Sequence, residues 1–215
     1  MPLILLKNID DGVIGLWKIS EELEELHQLA GLSPQDLNTY SGISALHRKK
    51  EWLATRALLN NLVTKYSPIK YHNDGRPYPE TGQYNISISH TTGFVAVMVH
   101  EHLIPGIDIE LTARQVGRVA SRFLSPGEQE ACSEKTGFSN QRLLLHWCAK
   151  EAVFKMVPFS NIEFSTDIHI SLNSPPPNSG IFKAVFNHKA GQIDILLEYL
   201  EESGVVLVWG CTGEI

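Results

Sequence analysis

The sequence predicts an α+β protein. Three observations carry that prediction: short apolar runs that alternate with polar residues, longer stretches with helical start and stop signals, and turn chemistry between them. Residues 3–6 and 13–19 read as strands joined by a turn at Asp10-Asp11-Gly12. Ser20 ahead of the acidic stretch 21–29 reads as a capped helix with carboxylates in its first turn. A longer helix is expected over 44–66, with Leu46, Leu53, Ala57 and Val63 as its buried stripe. Asn73-Asp74-Gly75-Arg76-Pro77 is turn chemistry. A hairpin follows, with alternating residues 84–89, a break at 90–93 and an apolar run at 94–99. Pro105-Gly106 then leads into Ile107-Asp108-Ile109-Glu110. On a strand, the isoleucines of this segment face one side and the carboxylates the other. Helices are expected over 113–124 and 140–156, with Ser125-Pro126-Gly127-Glu128 as a further helix start and Pro158 as a stop. Residues 168–172, 181–186, 193–197 and 205–209 read as strands, and Pro175-Pro176-Pro177 as part of a surface loop.

Composition narrows the class. The 215 residues suffice for one large domain or two small ones, and a 43% hydrophobic share with 20% charged residues is ordinary for a globular chain. A net charge of −6 argues against nucleic acid as a partner, because phosphate binding needs a basic surface. No apolar run approaches the roughly 20 residues of a membrane helix, and the first residues lack a basic region ahead of an apolar core. The expectation is a cytoplasmic protein with no membrane partner. Cys132, Cys148 and Cys211 show no paired spacing, so they read as free thiols rather than a disulfide framework or a zinc site.

Two segments carry chemistry. Asp108 and Glu110 place like charges on one strand face, where they repel unless a cation lies between them; a solvated face is the competing reading. In His146-Trp147-Cys148-Ala149-Lys150-Glu151-Ala152-Val153-Phe154-Lys155, Glu151 and Lys155 are four apart and share a helix face with Trp147. Taken alone, that pair also fits an ordinary exposed helix. Two oxygen donors from a strand and one from a helix suit a hard cation such as magnesium, which binds substrate phosphates and keeps waters. Arg48, Lys49, Lys50 and Arg56 form either a solvated face or an anion pocket, since Arg48 and Arg56 are close in helical phase. Trp52-Leu53-Ala54-Thr55-Arg56-Ala57 is faintly similar to Trp147-Cys148-Ala149-Lys150-Glu151-Ala152, which leaves duplication and chance both open. There is neither a Gly-rich nucleotide loop nor a nucleophile elbow.

Together these residues resemble the 4'-phosphopantetheinyl transferase superfamily, in its larger, surfactin-synthetase-activating type. The signatures G-[IV]-D-x-E and W-x-x-K-E-[AS]-x-x-K are present in full, at 106–110 and 147–155. Arg122-Phe123-Leu124-Ser125-Pro126-Gly127-Glu128 is similar to the segment between them. Upstream, Ser89-His90 resembles the family's strand end, Gly75-Arg76-Pro77 its G-[KR]-P turn, and residues 48–56 its R-x-x-E-x-x-A-x-R helix.

The resemblance implies a pseudo-dimer of two similar α+β halves, 1–104 and 105–215, with coenzyme A in the cleft between them. It implies transfer of the phosphopantetheine arm of coenzyme A to a serine of an apo acyl or peptidyl carrier protein, releasing 3',5'-ADP. Asp108, Glu110 and Glu151 correspond to magnesium ligands, and Lys155 to the lysine that contacts the diphosphate. Ser89 and His90 correspond to coenzyme contacts, Arg48 and Arg76 to grips on the nucleotide phosphates, and Arg56 joins Arg48 in the anion-pocket reading. Glu151, directly or through a metal-bound water, is the expected base. A monomer is expected, and exposed apolar residues around 118–124 are candidate carrier contacts. After Lys155 the family commonly has a glycine-containing turn, whereas this chain has Met156-Val157-Pro158-Phe159-Ser160-Asn161. The rival readings are a magnesium-dependent hydrolase of a nucleotide diphosphate linkage and a non-catalytic protein that binds coenzyme A or a carrier.

Overall fold

The computed structural model describes residues 3–134, 137–172, 178–189 and 191–213, so the proline run at 175–177 lies outside the described residues. The chain divides into two compact units, Met1–Pro105 and Gly106–Ile215. Among the described residues no helix is long and apolar enough to cross a membrane.

The first unit opens with β1 (Leu3–Ile9) and β2 (Gly12–Lys18), an antiparallel hairpin whose turn residue Asp11 takes a positive φ of 51°. Aspartate tolerates that region because its short side chain bonds locally. The helix expected after Ser20 starts later, as α1 (Leu23–Ala30), with Glu22 at the N-cap and no side-chain cap. Glu21 explains the delay. Its Oε2 accepts from the Ser20 N–H at 3.0 Å and from Trp17 Nε1 at 3.3 Å, which makes a buried carboxylate turn ahead of the helix. Next comes α2 (Pro34–Ser41), which the sequence reading lacks, capped by the reciprocal Ser33–Asp36 box with proline in its first turn.

The long helix α3 (Leu46–Leu62) ends before 66, because Val63 turns to extended backbone at φ −119°. Leu53 and Ala57 are fully buried as expected, but Leu46 in the first turn is 60% exposed and Val63 lies past the helix end. β3 (Ile69–Tyr71) and β4 (Pro77–Pro79) form a small ladder around Gly75, which takes φ +87°. β5 (Asn85–Thr91) and β6 (Phe94–His100) form the expected hairpin with a shorter break, so that His90 stays in the ladder opposite Val95. The sheet order is β1-β2-β6-β5, and α3 packs on β2 and β6. Leu53, Ala54, Ala57 and Leu58 meet Trp17, Val95 and Val97 in one apolar cluster.

The second unit is built on β7 (Ile104–Leu111). The expected helix over 113–124 shrinks to a 3₁₀ turn (Gly117–Val119) and α4 (Ala120–Phe123). Two local features oppose the longer helix. Gly117 is a weak helix former, and the Arg114 N–H closes a separate turn onto the Leu111 carbonyl at 2.9 Å. α5 (Pro126–Cys132) starts with a Ser125–Glu128 capping box, and β8 (Ser133–Glu134) pairs with β9 (Gly137–Phe138). α6 (Asn140–Met156) has the expected bounds, and α7 (Phe164–Asp167) follows it. β10 (Ile168–Ser171), β11 (Ser179–His188), β12 (Gly191–Glu202) and β13 (Val205–Thr212) complete a sheet of order β10-β11-β12-β13-β7. α6 packs on β13, β10 and β11.

Gly106 sits where β7 passes α6. A Cβ there would collide with the Ala152 carbonyl oxygen and the Met156 side chain. Backbone cannot give way as a flexible side chain does, so overpacking has to shift the strand or the helix. Gly106→Ala is expected to cost about 1–3 kcal/mol, read as a lower urea midpoint at unchanged slope. An unchanged midpoint would mean that α6 can retreat from β7 without cost.

Candidate active site

β7 is buried on both faces. Ile107 and Ile109 are fully enclosed, and Asp108 and Glu110 are only 5% and 7% exposed, so the carboxylates are not a solvated strand face. Burying a carboxylate costs several kcal/mol unless charge or donors compensate, and the compensation is visible. Lys155 Nζ donates to Asp108 Oδ1 at 2.8 Å and to the Ile107 carbonyl at 2.7 Å. Trp147 Nε1 donates to Glu110 Oε1 at 3.2 Å, and the Arg114 guanidinium pairs with the same carboxylate. Cys148, fully buried on α6, hydrogen-bonds to Asp108; burial pushes its thiol well above the usual range, so it stays a protonated donor.

Glu151 faces this group from α6. Burial, and then the charge of Asp108, raises its carboxyl above the ordinary carboxylate range, against the lowering effect of Lys155 and Arg114. The structure therefore brings Asp108, Glu110, Glu151, Lys155 and Trp147 into one electrostatic neighbourhood. Among the described residues, however, no three His, Cys, Asp or Glu side chains stand as a ready-made metal cage. Lys155 and Arg114 occupy positions that a cation would otherwise neutralise. The donor chemistry still suits magnesium: the oxygens are hard, the protein needs to supply only a few of them, and the repulsion between Asp108 and Glu151 is what a cation relieves.

α6 is braced by a residue to which the sequence reading gave no role. Lys150 Nζ is fully buried and donates to Glu128 Oε2 at 2.7 Å, the Phe164 carbonyl at 2.8 Å and the Ile168 carbonyl at 2.6 Å. Glu128 in turn accepts from the backbone N–H groups of Ser125 and Ile170, both at 2.8 Å. The available signal was the Ser125–Glu128 capping pattern, which marked Glu128 as a helix start without revealing its second partner. The segment after Lys155 solves its missing glycine differently. Asn161 takes the left-handed conformation at φ +62°, and Phe159 stacks on His188 with centroids 3.8 Å apart. Asparagine is the residue other than glycine best suited to that region.

The first unit holds a cavity of about 310 Å³ whose walls include Thr39, Arg48, Glu51, Trp52, Tyr71 and His90. Arg48 Nη1 lies 2.9 Å from His90 Nε2 and 3.0 Å from Glu51 Oε2. Arginine can only donate, so His90 Nε2 is the acceptor and its proton sits on Nδ1, which faces Glu51 at 3.6 Å. Ser89 precedes it in the strand and is buried. Arg76 lies in the β3–β4 turn, paired with Asp74 at 2.7 Å, and is not among the cavity walls. Arg56 lines the same cavity as Arg48, but its guanidinium is held in a buried ion pair. Its Nε is 3.1 Å from Asp36 Oδ1, and its side chain is 2% exposed against 53% for Arg48.

Residues 105–206 match the family model of the 4'-phosphopantetheinyl transferase superfamily. The comparison with curated proteins gives no match. The matched region thus runs from within β7 to the start of β13, and Asp108, Glu110, Glu151 and Lys155 all lie inside it. A mixed α and β unit in which one long helix packs on a sheet is consistent with that superfamily. The match supports a phosphopantetheinyl transferase role in general.

Proposed function

We propose that the protein transfers the 4'-phosphopantetheine moiety of coenzyme A to a serine hydroxyl of an apo acyl or peptidyl carrier protein, releasing 3',5'-ADP. The observation that carries this reading is the coupling of Glu151 to Asp108 beside Lys155, inside the matched domain. Magnesium, held by Asp108, Glu110 and Glu151, would supply charge neutralisation at the diphosphate when bound. Glu151 accepts the serine proton, its raised carboxyl lying closer to neutrality than an ordinary glutamate. Lys155 has three ammonium donors, of which Ile107 and Asp108 engage two, and the third is offered to the departing phosphate. In the first unit Arg48 and Arg76 grip the nucleotide phosphates of coenzyme A, and Ser89 and His90 contact the coenzyme.

The proposal includes the larger, pseudo-dimeric type, acting as a monomer in the cytoplasm. Supporting it, each unit sets a 17-residue helix on a sheet, and these helices carry the related segments 52–57 and 147–152.

Incubation with magnesium, coenzyme A and an apo carrier protein, followed by mass spectrometry of the carrier, tests the reading. A magnesium-dependent gain of one phosphopantetheine mass supports it. Phosphopantetheine released to water would indicate a hydrolase, and coenzyme binding without turnover a binding protein. Arg48→Ala is expected to raise the KM for coenzyme A about 10-fold, the loss of one charge-assisted bond, with little change for dephospho-coenzyme A. Equal losses for the two substrates would remove Arg48 from 3'-phosphate recognition.

A further inference from the structure

We infer that Asp36 is a positioning residue for the cavity of the first unit, holding α2 and the Arg56–Trp52 stack as its walls; this rests on the reading that the cavity takes the nucleotide end of coenzyme A. Asp36 is the buried residue of α2, and all of its carboxylate capacity is directed inward. Oδ1 accepts from Arg56 Nε at 3.1 Å. Oδ2 accepts from Ser33 Oγ at 2.7 Å, from the Ser33 N–H at 3.3 Å and from Tyr66 Oη at 2.9 Å. One carboxylate therefore ties together the start of α2, the middle of α3 and the chain beyond α3.

The consequence reaches the cavity through two routes. Thr39 lines it from α2, so anchoring that helix by Asp36 sets the position of this wall. Trp52, Thr55 and Arg56 line it from α3. The Arg56 guanidinium carbon lies 3.2 Å from the centre of the Trp52 ring, and its Nη1 donates to the Trp52 carbonyl at 3.2 Å. Arginine has a planar fork of donors, so fixing Nε on Asp36 also fixes the plane that stacks on the indole. Apolar side chains of similar volume would pack this region with less desolvation cost. What the carboxylate adds is a defined orientation for Arg56 and, through it, for Trp52, one turn from Arg48 and adjacent to Glu51.

The test compares full-length wild-type protein with Asp36→Asn and Tyr66→Phe, using calorimetric titration of coenzyme A and steady-state transfer kinetics. Asp36→Asn is expected to weaken coenzyme A binding and raise its KM 5- to 10-fold, with kcat within 2-fold of wild type. Tyr66→Phe, which removes one hydrogen bond and no charge, is expected to give a smaller KM rise in the same direction. Should Asp36→Asn fail to fold, Tyr66→Phe decides by the same KM-against-kcat split. Unchanged KM in a folded variant overturns the inference, as does a fall in kcat without a KM change. Tighter binding by Asp36→Asn would show that the carboxylate acts as counter-charge rather than as a brace, and overturns it too. Wild-type protein that does not bind coenzyme A overturns the reading of the cavity itself, and this inference with it.

Discussion

Lys150→Met is expected to destabilise the protein by about 3–5 kcal/mol, the usual cost of breaking a buried ion pair from one side. Lys150 and Glu128 have side chains 0% and 7% exposed. Methionine fills most of the lysine's volume but strands the Glu128 carboxylate and leaves the Phe164 and Ile168 carbonyls without their ammonium donor. Those acceptors lie on α5, on α7 and at the start of β10, so a single ammonium holds several elements against α6. Burial pulls the Lys150 pKa down while Glu128 opposes it, which is the balance expected of a pair that survives only together. In a protein of this size the loss corresponds to a fall in Tm of roughly 6–20 °C. The double variant Lys150→Met, Glu128→Leu should recover only part of the loss, because no charge is then left uncompensated but the Ser125 and Ile170 N–H groups lose their acceptor. A single-variant loss below about 1 kcal/mol in urea unfolding would show that water reaches the pair and that it does not brace the helix.

That role was hidden from sequence reading for a physical reason. The Lys150 partners lie 22, 14 and 18 residues away along the chain, and no local pattern marks such distances. α6 itself was legible to its last residue, because Pro158 stops it. The hairpin of β5 and β6 was legible from the alternation on either side of a break at 90–93, which the structure narrows to Thr92-Gly93. α2 was not: it has one buried residue, Asp36, so it carries no apolar stripe to reveal it. Its capping box was the signal to be found. Helical phase sets Arg56 near Arg48, and both line one cavity, but phase cannot report that Asp36 arrives from another helix to pair with Arg56. At the acidic strand, alternation correctly separated isoleucines from carboxylates but said nothing of what covers the second face. The burial of Asp108 and Glu110 is a tertiary fact, supplied by Lys155, Trp147 and Arg114.

Glu151→Gln is expected to lower transfer by about 100- to 10,000-fold, the range for loss of a general base, and also to make the protein more stable at neutral pH. Both follow from one feature. Burial and the Asp108 charge raise the Glu151 carboxyl above its ordinary value of 4.5, so the folded state holds this proton more tightly than the unfolded chain. The sign is then fixed: stability contributed by this group falls as pH rises through the window between the unfolded and folded pKa values, and the full penalty persists above it. Glutamine removes the charge without changing the shape. Thermal melts without metal should therefore coincide for wild type and variant below that window, and separate in favour of the variant as pH increases. Adding magnesium should raise the wild-type Tm and narrow the gap, because a cation offsets the repulsion that the substitution deletes. A constant offset at every pH would mean that the carboxyl is not strained. Turnover close to wild type would remove Glu151 from proton transfer whatever the melts show. A site that is less stable for carrying its reactive carboxylate is what function would impose on β7 and α6, where Asp108 and Glu110 already have cationic partners.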